Sequence, residues 1–143
     1  MRLYTILFLT HYSKAVNLFN RIKPNKTFHI SVKDIASMLR IPPNLIVRVE
    51  RWRYVVFVHR KDIGGQFISY RTLQNWQHAV AMRIRTCNTI DKLEVVWLAI
   101  ESDRKKYARH YKEAYHTFIE GVFFEQWDRI MELLGRTDER VLA

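Results

Sequence analysis

Residues 31–76 decide the fold, and they read SVKDIASMLRIPPNLIVRVERWRYVVFVHRKDIGGQFISYRTLQNW. Ser31 and Asp34 form a pair that resembles a helix capping box, with Asp where Glu or Gln is commoner. The apolar residues that follow are at helical spacing: Val32, Ile35, Ala36 and Leu39. The segment therefore predicts a short helix that starts after Ser31 and buries one side.

Proline then interrupts the pattern at Pro42, and Pro43 is suited to the first turn of a new helix. This second helix is predicted to run to about Trp52. Its inward side would consist of Leu45, Ile46 and Val49. Its outward side would consist of Asn44, Val47, Arg48 and Arg51. Such a division is typical of a recognition helix that enters a major groove, and the alternative is an ordinary helical hairpin.

A hairpin is predicted next, from a β-rich run at Tyr54 to His59, a turn at residues 60–65 and a return at Gln66 to Ile68. Two glycines in the turn are free to adopt positive φ. Arg60 and Lys61 at its tip would contact a nucleic-acid backbone or minor groove. Alternatively, their charges only keep an edge strand from aggregating.

Ser69 is predicted to cap a third helix, which closes the domain over the first two. The apolar positions of that helix are Leu73, Trp76, Val80 and Ile84. Two helices, a hairpin and a third helix are the elements of a winged helix-turn-helix.

The net charge of +10 is distributed unevenly. Residues 1–39 contribute +5, residues 40–85 contribute +7, and residues 86–143 contribute −2. The first part of the chain therefore suits a polyphosphate partner, whereas the second does not. A generally basic protein is the weaker alternative, because its charge would not stop at Arg85.

The length of 143 residues and the apolar content of 48% suit one compact domain, or a small domain with an added helical element. Cys87 is the single cysteine, so it forms no internal disulfide, and no metal or cofactor is expected. A cytoplasmic location is favoured. The apolar run Leu3 to Thr10, a strand or a first helical turn, is much shorter than the ~20 residues of a membrane span. We assign it to an N-terminal packing element at residues 1–29, with a helix capped by Ser13.

Residues 91–120 contain neither glycine nor proline and predict a long amphipathic helix that ends at Gly121. A terminal helix is expected to follow up to Gly135, with a flexible tail at residues 136–143. Aromatic residues between Tyr107 and Trp127 could line a ligand pocket, but packing in a core is the favoured interpretation. No small-molecule effector is therefore predicted.

No catalytic grouping is evident in the sequence. The histidines are dispersed, no Ser-His-Asp or Cys-His arrangement is suggested, and no paired carboxylates follow the spacing that a nuclease needs. The chain is predicted not to be an enzyme.

Residues 30–76 resemble the DNA-binding domain of MerR-type transcriptional regulators and the excisionase-like domains related to it. The resemblance rests on the short helix from Val32, the Ile41-Pro42-Pro43 turn, Glu50 eight residues beyond Pro42, the glycine-ended wing, Ser69 and Leu73. Val47, Arg48 and Val49 stand where the family usually has Arg-Tyr-Tyr, and Gln66 stands at a wing position that is often arginine. The DNA contacts are therefore predicted from the charge and helical phase of this chain.

The resemblance implies a mainly α fold with a small β-hairpin: a winged helix-turn-helix at residues 30–86 and a helical dimerisation region at residues 91–135. The residues predicted to contact double-stranded DNA are Asn44, Val47, Arg48, Arg51, Arg53, Arg60, Lys61 and Arg71. The resemblance also implies a homodimer through an antiparallel coiled coil, although both helices could instead complete a monomeric core. The predicted dimer contacts are Leu93, Val96, Trp97, Ile100, Tyr107, Tyr111 and Phe118.

Two functions remain open at this point. One is a sequence-specific repressor that binds a palindromic operator and occludes a promoter, similar to short regulators encoded with mobile elements and CRISPR-associated transposons. The other is an excisionase-like or antitoxin-like adaptor that binds nucleic acid without a transcriptional effector role.

Overall fold

The computed structural model describes the backbone of residues 17–142 and the side chains of residues 17–136. The apolar run Leu3 to Thr10 and the predicted Ser13 cap lie outside the described residues. The described chain is mainly helical and contains a three-stranded antiparallel sheet. It divides into two compact units, one of residues 22–77 and one of the described residues in 17–21 and 78–142.

The helices are α1 (Leu18–Ile22), α2 (Pro24–Thr27), α3 (Val32–Leu39), α4 (Gln74–Arg85), α5 (Ile90–Lys106) and α6 (Glu113–Leu142). The strands are β1 (Ile46–Arg51), β2 (Val55–Arg60) and β3 (Gly64–Ser69). Single turns of 3-10 helix occur at Pro43–Leu45, Tyr70–Thr72 and Ala108–His110. Among the described residues, no helix combines the length and the apolar character needed to cross a membrane.

The predicted first helix is confirmed as α3, and its capping box is complete. The Asp34 amide donates to the Ser31 hydroxyl at 3.0 Å, and the Ser31 amide donates to the Asp34 carboxylate at 3.1 Å. These hydrogen bonds to Ser31 hold the pKa of Asp34 below its usual value. The helix ends at Arg40, which adopts the left-handed conformation with φ 58°.

The predicted second helix at residues 43–52 is wrong. Only Pro43–Leu45 form a helical turn, and Ile46–Arg51 form strand β1, which pairs with β2. Ile46 and Val49 are three residues apart, which fits one face of a helix and would place them on opposite faces of a regular strand. The β1–β2 register is irregular between Ile46 and Arg48, so β1 departs from that simple alternation. The β-branched side chains of this run favour the strand, and pairing with β2 fixes it.

The predicted hairpin is confirmed as β2 and β3, and β1 extends it to a sheet with the order β1-β2-β3. Val56 pairs with Ile68 and Phe57 pairs with Phe67. The turn is Lys61 to Ile63, shorter than predicted, and Gly64 has φ +83°, a conformation that glycine adopts without strain.

The core of the 22–77 unit lies on one face of this sheet. Helix α3 contacts β1 and the 3-10 turn that precedes it. The side chains buried in this unit are Ile22, Pro24, Phe28, Ile35, Ala36, Ile46, Val56, Val58, Ile68, Tyr70, Leu73 and Trp76. Ser69 accepts a hydrogen bond from the Arg71 amide at 3.2 Å. It therefore caps the 3-10 turn, and α4 begins five residues later than the predicted cap.

In the other unit, the single long helix predicted for residues 91–120 is wrong, because α5 ends at Lys106 and α6 begins at Glu113. No glycine or proline marks this break. Tertiary contacts define it: the Tyr111 hydroxyl donates to the buried Asp103 carboxylate, and the Tyr111 and Tyr115 rings lie 4.6 Å apart. These contacts fold the intervening segment back.

Helix α6 does not stop at Gly121, as the sequence predicted, and it continues through Gly135 to Leu142. A glycine in a helix interior costs only about 1 kcal/mol relative to alanine. Burial of Ile119 and Val122 on either side of Gly121 offsets that cost. Residues 136–142 were predicted to be a flexible tail and have a helical backbone instead.

Candidate functional site

The sheet of the 22–77 unit has a second face, opposite to the buried Val56, Val58 and Ile68. Side chains alternate between the faces of a strand, and directly paired residues share a face. The register therefore assigns seven paired side chains to this second face: Arg48, Glu50, Val55, Phe57, His59, Phe67 and Ser69. We call it the outer sheet face.

Three aromatic rings form a cluster on the outer sheet face. Trp52 stacks on Phe57 with 5.2 Å between ring centroids and an interplanar angle of 15°. Phe67 lies 5.3 Å from Trp52 and 5.6 Å from Phe57 at steeper angles. Trp52 is 46% exposed and Phe67 is 60% exposed. We call Trp52, Phe57 and Phe67 the aromatic cluster; it leaves apolar ring surface in contact with solvent.

Gly65 makes room for one ring of the aromatic cluster. It pairs with His59, beside Phe57, and a Cβ atom at this position would lie 2.8 Å from Cε2 of Phe57. Such an approach is too close for a methyl group, so any larger residue would displace the ring. Gly65 thus allows the Phe57 ring to lie flat along the strand.

A buried tyrosine anchors the turn that presents Trp52. The Tyr70 hydroxyl donates to the Trp52 carbonyl oxygen at 2.5 Å, and the Trp52 amide donates to the Val55 carbonyl at 3.0 Å. Burial raises the pKa of Tyr70 to about 12, so the hydroxyl keeps its proton. Tyr70 therefore connects the core to the exposed indole.

Charge on the outer sheet face is mixed at close range. Arg48 Nε lies 3.8 Å from a Glu50 carboxylate oxygen, and both side chains are largely exposed, at 57% and 44%. An exposed pair of this length contributes at most about 1 kcal/mol, so a stronger anion can replace the carboxylate.

The structure separates the predicted DNA-contact residues of β1. Arg48 pairs with His59 on the outer sheet face, whereas Arg51 pairs with Val56 and belongs to the opposite face. The Arg51 guanidinium donates to the Phe28 carbonyl oxygen. The two arginines were expected side by side on a helix, and a strand places them on different sides.

Arg60 is held by its own hairpin. Its guanidinium forms two hydrogen bonds with the Asp62 carboxylate, at 2.9 and 2.7 Å, and a third with the Gln66 side-chain oxygen at 2.9 Å. The bond to Asp62 raises the pKa of Arg60 and lowers that of Asp62. This arginine stabilises the β2–β3 turn in the structure.

The other predicted contact residues are spread over the 22–77 unit. Asn44 is exposed in the 3-10 turn before β1, Val47 is exposed near the start of β1, and Lys61 is exposed in the β2–β3 turn. The Arg53 guanidinium lies 5.2 Å from the Tyr54 ring centroid, and that of Arg71 lies 5.1 Å from the Trp76 ring. Of the eight residues, Arg48, Arg53 and Lys61 combine a positive charge, an exposed side chain and a place on the outer sheet face or at one of its two ends.

The predicted dimer contacts occupy varied environments within the other unit. Leu93, Val96 and Ile100 are buried, at 0%, 6% and 1% exposure. Trp97 packs on Phe123, with 4.5 Å between centroids. Tyr107 and Tyr111 lie in the break between α5 and α6, and Phe118 is 37% exposed. A homodimer remains a prediction.

A polar cluster joins α5 and α6 in the same unit. Glu101 pairs with Arg104 at 2.8 Å within α5, His116 Nε2 lies 2.9 Å from a Glu120 oxygen within α6, and His116 Nδ1 lies 3.9 Å from a Glu101 oxygen between the two helices. Glu101 raises the pKa of Arg104. Within the described residues, no group of three or more His, Cys, Asp or Glu side chains could hold a metal ion. Burial raises the pKa of the Cys87 thiol, which favours its unreactive protonated form.

Sequence reasoning did not identify the aromatic cluster. It assigned Trp52 to the end of a helix and treated Phe57 and Phe67 only as strand formers. The alternation of side chains along β2 and β3 indicated that the sheet has two faces. It did not indicate which of the two faces is covered by the core. Comparison with known proteins adds no further information, since no protein-family model, curated protein or solved structure matches the chain.

Proposed function

We propose that this chain binds nucleic acid through the outer sheet face of its 22–77 unit. The observation that supports this most strongly is the exposed aromatic cluster beside Arg48. Aromatic rings contact bases, and a neighbouring guanidinium contacts phosphates. The two kinds of group lie together on one surface of a basic unit.

The charge of the unit fits a polyanionic partner. Residues 22–77 contain ten Lys and Arg against three Asp and Glu, a net charge of +7. Arg48 lies on the outer sheet face, Arg53 lies in the turn at one end and Lys61 lies in the turn at the other. A nucleic-acid strand that runs across the face would meet Arg53 at one end, and Arg48 and Lys61 towards the other.

Glu50 competes with such a strand. Its carboxylate lies beside Arg48, and it pairs with Phe57 across the two strands. A phosphate would take over the interaction with Arg48 and leave Glu50 as a repulsive neighbour. Neutralisation of Glu50 should therefore strengthen binding, while removal of the Arg48 charge should weaken it.

The repressor function predicted from the sequence is a narrower form of this proposal. It requires duplex DNA, a palindromic site and a dimer. A strand in place of the recognition helix means that duplex reading would depend on the sheet, as in proteins that use β-ribbons in a groove. Nucleic-acid binding is the common requirement of the repressor and the adaptor, and it is tested first.

The experiment measures fluorescence anisotropy of a labelled oligonucleotide over a salt series. Arg48→Gln/Lys61→Gln is expected to weaken binding and to lower the magnitude of the salt slope by about 0.7–0.9 for each phosphate that the variant no longer neutralises. Glu50→Gln is expected to bind more tightly than the native protein. Lys105→Gln/Arg109→Gln, two exposed cations of the other unit, provides the matched control and should bind normally.

Equal weakening in the Arg48/Lys61 variant and in the Lys105/Arg109 variant would contradict the assigned surface, because only total charge would then matter. Absence of binding to every oligonucleotide at low salt would contradict nucleic-acid binding itself.

A further inference from the structure

We infer that the outer sheet face accepts unpaired bases, which stack on Trp52 and Phe67, so that the partner is a single-stranded nucleic acid. The inference rests on the proposed function and specifies its substrate class. It depends on the geometry of the aromatic cluster and not on charge alone.

Within the aromatic cluster, Phe57 differs in position from Trp52 and Phe67. Phe57 is covered by the parallel indole of Trp52 on one side and borders Gly65 on the strand. It therefore supports the cluster, and the exposed ring surface belongs to Trp52 and Phe67, at 46% and 60% exposure. A planar base placed on the free surface of the indole would extend a stack that already contains two rings.

Duplex and single-stranded nucleic acids differ in how their bases can contact exposed aromatic rings. Bases in a duplex expose their edges in the grooves, while their faces are covered by neighbouring base pairs. Unpaired bases expose whole faces, and proteins that bind single strands stack them on aromatic side chains, often on a sheet surface. The aromatic cluster offers ring faces and edges with few hydrogen-bonding groups, which suits base faces better than base edges.

Cations near the aromatic cluster could contact the phosphate backbone of a bound nucleic acid. Arg48 and His59 form the pair next to Glu50 and Phe57 in the β1–β2 register. Lys61 lies beyond them in the β2–β3 turn, and Arg53 lies beside Trp52. Phosphates on either side of a stacked base could therefore each interact with a cation of this surface. This charge complementarity favours a nucleic acid over an apolar protein segment as the occupant.

The experiment compares one oligonucleotide of about 16 nucleotides, a length within known single-strand site sizes, in single-stranded and duplex form. The native protein is expected to bind the single strand more tightly. Trp52→Ala/Phe67→Ala should weaken single-strand binding by at least about 5- to 150-fold, the range for removal of one aromatic ring that stacks on a base, because the variant removes two such rings. Duplex binding, which depends on phosphates, should change little.

Two further variants control for side effects. Trp52→Phe keeps an aromatic face and should retain most of the single-strand affinity. Phe124→Ala removes a ring that is also 60% exposed but belongs to the other unit, and it should bind normally. Circular dichroism and thermal unfolding establish that each variant is folded, which is expected because the Tyr70 hydroxyl donates to the backbone carbonyl of Trp52, a group that every variant keeps.

The outcomes separate the two proposals. A folded Trp52→Ala/Phe67→Ala protein that binds the single strand as well as the native protein would overturn the stacking inference and leave the proposed function intact. Equal weakening of single-strand and duplex binding would also overturn it. If the native protein binds neither form at low salt, the proposed function fails as well.

Discussion

Tyr70 shows how one core residue determines a surface. Its ring is fully buried, it packs edge-on against Phe28 at 6.0 Å, and its hydroxyl reaches the carbonyl of Trp52. The backbone of the turn that carries the exposed indole is thus fixed by a hydrogen bond from the core. A flexible turn would lose conformational entropy on binding a base, and this anchor reduces that loss.

Tyr70→Phe removes the hydrogen bond and is expected to lower the free energy of unfolding by about 1 kcal/mol at neutral pH. The substitution should also change how the free energy of unfolding depends on pH. Since burial raises the pKa of Tyr70 from 10.0 to about 12, the native protein favours the protonated phenol. That stabilisation is complete below pH 10.0 and is lost as the pH rises towards about 12.

Urea unfolding of both proteins between neutral and alkaline pH measures this effect. The difference in stability between the native protein and Tyr70→Phe should shrink above pH 10.0, because only the native protein loses the contribution. A difference that stays constant across that range would contradict the buried donor assigned to Tyr70.

Elements that depend on residues close in the sequence could be predicted, and elements that depend on contacts between more distant residues could not. The capping box at Ser31 and Asp34 involves residues three apart, so the sequence contains all the information that α3 needs. Strand β1 depends on a partner strand, and the break before α6 depends on Asp103 and Tyr111, eight residues apart. The outer sheet face could not be predicted, because alternation does not reveal which side the helices cover.

Gly121→Ala tests the continuity of α6. A Cβ atom at this position meets no neighbouring atom within 4 Å, so alanine fits and should raise the free energy of unfolding by about 0.5–1 kcal/mol. Thermal or urea unfolding measures the change. Gly64→Ala is the contrasting variant, and it should be destabilised because Gly64 has φ +83°. Destabilisation by Gly121→Ala would indicate that the helix ends there after all.

The two units of the molecule differ in charge and in where their apolar side chains lie. The 22–77 unit has a net charge of +7 and an exposed aromatic cluster, whereas the other unit is built around two long helices with an apolar interior. We propose that nucleic acid binds the first unit. The apolar stripe that suggested a coiled coil includes Leu93 and Ile100, which are buried within a single chain.

Leu93→Glu tests whether that stripe is a core. Leu93 has 0% exposure, and an unpaired carboxylate there should cost several kcal/mol, enough to abolish cooperative unfolding. Phe124→Glu, at a side chain with 60% exposure, should remain folded. Circular dichroism and light scattering distinguish the alternatives. A folded Leu93→Glu protein with half the native mass would show instead that Leu93 lies in a dimer contact.

NMR chemical-shift mapping with a short single-stranded oligonucleotide tests whether nucleic acid binds the outer sheet face. We expect the largest shifts at the Trp52 indole N–H and at the amides of Arg48, Phe57 and Phe67. Saturable shifts confined to α5 and α6, with the outer sheet face unchanged, would contradict binding at this face.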